Sequence, residues 1–483
     1  MADERLVAVG LDLGTGGARA VAMDFRGDLV AEGQADLPDE ATTVDGPRVE
    51  QDPESWTAVA QSALRQLTGS LPKECRIVGI AVDATSGTFL LADKGHRPLT
   101  RGLMYNDLRA ADEAPSVAAA LTEDLEPYGI KIAPAFALTK VVHLARHEPQ
   151  LFRRCRHIVH QTDWIVGMLC GRFDVTDVST ALKTGCDPGK LVWPAAMEQR
   201  LGIPSEILPE IVHPGAQIGE ITAGAADATG LPLGTPVVAG CTDGTAGFLA
   251  SGASRSGDLN VTLGTTLVFK AVAEQPLIDP DGAVYNHRHP AGGYLPGAAS
   301  STGADWVNKC FPDADLDELE RFASGLLPTG RAAYPLVKTG ERFPFACETA
   351  TGFGLDEIDD PVTRFAAGME GVALLERLGI QRFERLGLKI GPAVYATGGG
   401  TASQTWLKIR ASVNRRTYSV PMRPECAVGA AVLAAMPHVG SCEDAARAIV
   451  RAGGRVEPDE RLAAVYDEQF ERFCAALSER GYV

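Results

Sequence analysis

Apolar residues in strand-like runs mark "LVAVGLDL" (residues 6–13) and "ARAVAMD" (18–24) as strands joined by "GTGG". "DLVAEGQADL", after the "FRGD" turn, reads as a third strand. The period then changes. In "DPESWTAVAQSALRQLTGSL", Trp56, Val59, Ala60, Ala63, Leu64 and Leu67 recur at helical spacing, with Asp52 as cap and Pro53 in the first turn. "IVGIAVDAT" follows as a buried strand, so the chain opens βββαβ. Helices are predicted near 112–121, 139–147 and 161–169, followed by Gly/Pro-punctuated loops through "TGCDPGKLVWP" and "LGIPSEILPEIVHPG". A short strand, Pro236 to Ala239, ends in the Gly-rich turn of "LPLGTPVVAGCTDG", which places a domain boundary there and gives domains of residues 1–239 and 240–483.

The second half offers "GDLNVTLGTTLVFKAV", two strands around another Gly-Thr turn. "DLGTG" at 12–16 aligns with "TLGTT" at 262–266, an internal repeat of strand, Leu-Gly-Thr turn and strand, near the start of each half. Facing each other across a cleft, two such turns present backbone N–H groups and the hydroxyls of Thr15 and Thr265 to one volume, an arrangement suited to phosphate. Each turn alone is equally an ordinary tight hairpin. No P-loop and no strand-G-x-G-x-x-G-helix unit is present. A third glycine cluster, "AVYATGGGTASQTWLKIRASV", reads as strand, three glycines and a helix, where a ligand can approach the backbone closely; Trp406 on that helix fits a core position as well.

Two acids stand out. Asp12 lies inside an apolar strand, where a carboxylate needs a partner or a metal, and beside a phosphate turn it suits Mg²⁺; the plain alternative is an edge acid facing water. Asp243 follows a strand and precedes the helix-like "TAGFLASG", so it is a candidate N-cap and also a candidate general base for an attacking alcohol.

Composition narrows the partners. Of 483 residues, 45% are apolar and 22% charged, typical of a globular chain of two large domains. The formal charge of -17 makes a nucleic-acid partner unfavourable, though backbone N–H groups and a metal still bind small phosphates locally. Ten cysteines without C-x-x-C or paired His spacing argue against zinc, and the acidic start "MADERLVAVG" and the absence of a long apolar run point to free thiols in the cytoplasm, with no membrane association.

Together, "GLDLGTGGARA", "GCTDGTAG", "LGTT" and "YATGGGTASQTWLKIRASV" resemble the FGGY carbohydrate kinases, in the family's order from about Leu6 to about Ala435. The resemblance implies an α/β, two-domain actin-like ATPase (ribonuclease H-like) fold, with duplicated βββαβα cores flanking a central cleft. It implies a sugar-binding N-terminal domain and a nucleotide-binding C-terminal domain, with ATP and Mg²⁺ as cofactors. By resemblance, Asp12, Gly14, Thr15, Gly264 and Thr265 lie around the phosphates, with Asp12 on the metal; Asp243 is the catalytic base; Gly399, Gly400, Ser403 and Trp406 border the adenosine; and "ECAVGAAVLAA" is the helix after the nucleotide site. The sugar site is expected at Thr85 and Ser86 of "VDATSGTF" and at Asp107 of "YNDLRA", with Asp12 and Asp243 also touching substrate.

"YNDLRA" is similar to the W-N-D-x-R pattern of xylulokinases, with Tyr105 in place of Trp. The Gln-Met-His segment of xylulokinases and the Gln-Arg-Glu-Thr segment of glycerol kinases are both missing at 82–89, where "VDATSGT" is similar to D-ribulose kinases. The implied reaction is ATP-dependent phosphorylation of the terminal hydroxyl of a ketopentose, D-ribulose to D-ribulose 5-phosphate, by a monomer or homodimer. D-xylulose or another polyol is the alternative substrate, and a non-catalytic nucleotide-dependent regulator the alternative class. His143 in "TKVVHLARH" is expected to be structural.

Overall fold

The computed structural model describes residues 4–483. They form two compact units, and the first is discontinuous: it runs to Ser254 and also takes in His287–Gly293 and Glu425–Arg451. The second comprises Arg255–Asn286, Tyr294–Pro424 and Ala452–Val483. The expected boundary at 239/240 falls inside the strand Pro236–Thr242. That strand is paired in parallel to Cys75–Ala84, so its hydrogen bonds hold it in the first sheet.

In the first unit the opening meander is Arg5–Leu13, Gly17–Asp24 and Leu29–Asp36, antiparallel in sequence order. Cys75–Ala84 pairs in parallel with Arg5–Leu13, and Pro236–Thr242 and Gln217–Glu220 extend the sheet to six strands. The helix Pro53–Ser70 covers one face through the predicted apolar stripe, with Trp56, Ala60, Ala63, Leu64 and Leu67 fully buried. Its cap is Asp52, whose side chain accepts the Glu54 N–H at 3.2 Å. A hairpin, Thr42–Asp45 with Arg48–Gln51, lies between the meander and this helix and belongs to a separate five-stranded sheet. Its largely polar sequence carries no hydrophobic alternation, so the pattern of apolar residues gives no sign of it.

The other face is covered by Cys426–Val439, a helix apolar all round and therefore buried. Its contact with the sheet depends on Gly10. A Cβ there would lie 1.8 Å from the Ala427 carbonyl oxygen, so no larger residue allows the helix to sit this close.

The second unit repeats the plan. Leu259–Leu263 pairs antiparallel with Leu267–Ala271 and parallel with Ala393–Thr397, as the first strand of the first unit pairs with its hairpin partner and its crossover strand. Tyr294–Ala299 and Thr417–Pro421 continue the sheet. The 25-residue helix Pro361–Arg385 and the helix Gln404–Asn414 pack on it, burying Val372, Leu374, Leu375, Leu407 and Ile409. Inside this core Arg410 and Glu376, both inaccessible to solvent, form a bidentate pair at 2.7 and 3.0 Å, and Tyr418 donates its hydroxyl proton to Glu376 at 2.6 Å. Among the described residues no helix is long and apolar enough to cross a membrane.

Candidate active site

Strand register assembles the acids of the first unit. Asp12 lies directly opposite Asp83 in the parallel pairing of their strands, and Asp83 is opposite Cys241 on its other side. Asp243 follows two residues after Cys241, as the first residue of the helix Asp243–Ala250. The cap position of that helix is taken by Thr242, so Asp243 is not the N-cap. Its Oδ1 accepts the Gly244 N–H at 2.6 Å.

Asp83 is the member that reading the sequence missed. It is completely buried, and neither carboxylate oxygen meets a hydrogen-bond donor of the protein. Two ionised carboxylates have no proton to share, so Asp12 and Asp83 face each other at the cost of mutual repulsion unless a proton or a cation lies between them. Burial, then the neighbouring Asp12 and the charge of Asp243, push Asp83 well above the usual carboxylate range. Burial likewise raises Asp12; a proton shared with Asp83 and the charge of Arg19 would oppose that rise, and Asp243 adds to it. A carboxylate oxygen of Asp12, one of Asp83 and the Cys426 sulfur lie within 4.8 Å of one another. Two carboxylates in an acidic pocket fit a hard divalent cation such as Mg²⁺; the thiol is a soft donor and does not suit it.

Two of the residues expected to meet the sugar, Thr85 and Ser86, lie on the loop after Asp83. Ser86 has a hydroxyl that is buried and without a partner. Lys183, a second residue missed from sequence, donates to the Ser86 carbonyl at 3.0 Å. Burial lowers its pKa, and the charge of Asp243 opposes that fall. Lys140, fully buried, donates to the carbonyls of Gly87 and Met104 at 3.2 and 2.8 Å and is brought down to about 7 by burial.

Two expected sugar ligands turn out to be occupied. Thr85 gives its hydroxyl proton to Gln161 Oε1 at 2.6 Å, so it orients Gln161 and has no proton left for a substrate. Asp107 accepts from Val49 N–H at 2.8 Å and from the Arg109 guanidinium at 2.6–3.0 Å, and Arg109 also reaches Glu50 at 2.6 Å. Both of its oxygens are committed to an ion-pair network that anchors its loop. His143 lies near Glu113 and His147, but Arg146 already holds that carboxylate, and Arg48 and Arg109 add positive charge around the imidazole. This field opposes a metal cation there.

In the second unit Gly264, Thr265, Gly399, Gly400, Ser403 and Trp406 line one cavity of about 410 Å³. The three-glycine segment forms a short 3-10 turn, and the helix begins at Gln404 with Ser403 as its cap, its Oγ accepting the Trp406 N–H at 2.9 Å. Gly400 rests on Leu263, where an added Cβ would lie 2.4 Å from the side chain. Trp406 is a core residue that also borders the cavity: its ring is buried and its Nε1–H donates to the Met369 carbonyl at 3.0 Å. The two Gly-Thr turns differ from expectation in one respect. Gly14 and Gly264 spend their N–H groups within the turns, on Gly17 and Thr266 at 2.9 and 3.1 Å, which leaves Thr15 and Thr265 at the exposed tips.

Behind the Asp243 helix lies His289, whose ring meets Phe248 edge-on at 6.2 Å and whose Nδ1 accepts the Ala291 N–H at 3.1 Å. Burial lowers its pKa from 6.5 to about 4. Between those values the unfolded chain binds a proton that the folded chain does not, so this contribution is complete above pH 6.5 and is lost as the pH falls through 4. A loss of about 3 kcal/mol is expected over that window. Urea unfolding at pH 7 and pH 4.5 should show a smaller acid shift in His289→Asn than in the parent.

Comparison with known proteins agrees with this geometry. Residues 7–250 match the N-terminal domain of the FGGY family of carbohydrate kinases and residues 259–438 its C-terminal domain. Xylulose kinase of Escherichia coli strain K12 is 28% identical over 421 residues, covering 84% of each chain. Autoinducer-2 kinase of Salmonella choleraesuis is 26% identical over 499 residues, covering 97% of this chain and 94% of the relative. The crystal structure of xylulose kinase from Rhodospirillum rubrum superimposes with a TM-score of 0.85 at 27% identity, over 98% of both chains. With both halves matched, a repeated sheet plan and an acid cluster at the strand ends, the chain belongs to the FGGY family of carbohydrate kinases: it is an ATP-dependent sugar kinase of the actin-like fold.

Proposed function

We propose that the protein transfers the γ-phosphoryl group of ATP to the terminal hydroxyl of a ketopentose, D-ribulose being the preferred substrate, to give the 5-phosphate. The observation that carries this reading is the strand register that sets Asp243 two residues beyond Cys241, the partner of Asp83, with Asp12 opposite Asp83 and the Ser86 loop following it. A base in that position serves a hydroxyl held at the Ser86 loop. Asp243 accepts the proton as the oxygen attacks phosphorus, and an ordinary carboxylate is basic enough, because positioning and charge neutralisation carry most of the acceleration in phosphoryl transfer. Ser86 orients the sugar, and Lys183 keeps its loop fixed. The cavity bordered by Gly399, Gly400, Ser403 and Trp406 takes the adenosine, with Thr15 and Thr265 on the phosphates. Asp12 and Asp83 are the residues suited to Mg²⁺, which supplies charge neutralisation to the phosphates when bound.

Relatives named xylulose kinase support a ketopentose as acceptor. The preference for D-ribulose rests on "VDATSGT", which lacks the xylulokinase segment. Coupled ADP detection across ketoses, pentitols and glycerol tests it. The highest kcat/KM is expected with D-ribulose; a higher value with D-xylulose reassigns the substrate, and turnover with no polyol at all overturns the reading.

A further inference from the structure

The loop Thr85–Thr88 carries a chain of hydrogen bonds whose direction is fixed atom by atom. The Tyr105 N–H donates to Thr88 Oγ1 at 3.1 Å. At the other end, Gln161 receives the Thr85 backbone N–H at 3.3 Å and the Thr85 hydroxyl at 2.6 Å on a single atom. A backbone N–H only donates, so that atom is the amide oxygen, and the orientation of the Gln161 side chain follows from chemistry. Thr85 has spent its one proton on Gln161. The 2.7 Å contact between the two threonine hydroxyls is therefore a bond from Thr88 to Thr85.

Every hydroxyl proton in the chain is now assigned, and the polarity ends on the Gln161 NH₂ group. This group is a pure donor on a fully buried side chain, and it meets no acceptor of the protein. The neighbouring Ser86 Oγ is also buried and without a partner. The loop's main-chain acceptors, by contrast, are served: Lys183 holds the Ser86 carbonyl and Lys140 the Gly87 carbonyl. Native interiors leave few buried donors unmatched, and those that persist call for an absent partner.

We propose that Gln161 is a specificity-determining residue whose Nε2 donates a hydrogen bond to an oxygen of the sugar, with Ser86 Oγ making the adjacent contact. The proposal rests on the sugar-kinase reading above and adds to it which atom of the protein reads the acceptor. A hydroxyl or carbonyl oxygen at that point satisfies the donor. An analogue lacking that oxygen leaves the donor unpaired, and buried polar groups of this kind discriminate far more strongly than apolar pockets.

Gln161→Glu tests this, because it keeps the oxygen that braces Thr85 and changes only the NH₂ group. Steady-state kinetics with D-ribulose and ATP, together with thermal melting, provide the readout. The expected result is a rise of about 10- to 100-fold in the KM for the sugar, the effect of one lost hydrogen bond in a buried site. The KM for ATP and the melting temperature should stay close to those of the parent. A sugar KM within threefold of the parent, or equal rises in the KM values for sugar and ATP, overturns the proposal. A parent enzyme that phosphorylates no ketose overturns the functional reading instead, so the two failures are distinct.

Discussion

Replacing Asp243 by Ala is expected to lower kcat for sugar phosphorylation by about 10²- to 10⁴-fold, the range that a positioned general base contributes. Binding of ATP, measured by calorimetry without sugar, should change little, since the cavity proposed for the adenosine is lined by residues of the second unit and Asp243 belongs to the first. The stability effect should also be small, because Asp243 is not the cap of its helix. A further consequence separates this residue from a merely structural one. Its charge adds to the rise of Asp12 and Asp83 that burial mainly causes, so Asp243→Asn should lower both only slightly, and a carbon-detected NMR titration of the parent and variant reads that directly. Turnover within tenfold of the parent would falsify the assignment.

The largest stability effect is expected at Glu376. Glu376→Leu removes the carboxylate paired with Arg410, leaves a fully buried guanidinium without that counter-charge, and strips the Tyr418 hydroxyl of its acceptor. Removing one partner of such a pair costs about 3–5 kcal/mol, because the surviving charge still pays its desolvation. Replacing the whole set is a different matter: a Glu376→Leu, Arg410→Met double variant should recover most of that loss, since apolar groups of similar volume substitute well for buried ions. Denaturant unfolding of the single and double variants checks both statements. Equal destabilisation of the two would show that packing, not the unpaired charge, dominates.

What was legible in the sequence was local. The meander, the Asp52-capped helix and the repeated Gly-Thr hairpin follow from apolar spacing and turn residues, and all three are present. Asp12 drew notice because a carboxylate interrupts an apolar strand, and the same signal was available at Asp83 in "IAVDAT". Gln161 and Lys183 were not available to that kind of reading. Each lies at the end of a helix far along the chain, and only the packing of those helices against the 85–88 loop brings them to it. Thr85 and Asp107 show the converse. Their residue types suit a sugar, but the neighbours that occupy them, Gln161 and Arg109, are set by tertiary structure.

The discontinuity of the first unit bears on how the chain is made. Its sheet is complete once Pro236–Thr242 has left the ribosome, yet the helix Cys426–Val439, which closes over Gly10, comes about 170 residues after Ser254. At ~5–20 residues per second, roughly 10–30 s of synthesis separate the two events. During that interval the nascent sheet exposes an oily face with no cover, so recruitment of a holding chaperone to stalled chains should stay high at lengths up to residue 440 and fall only once the helix itself has left the ribosome.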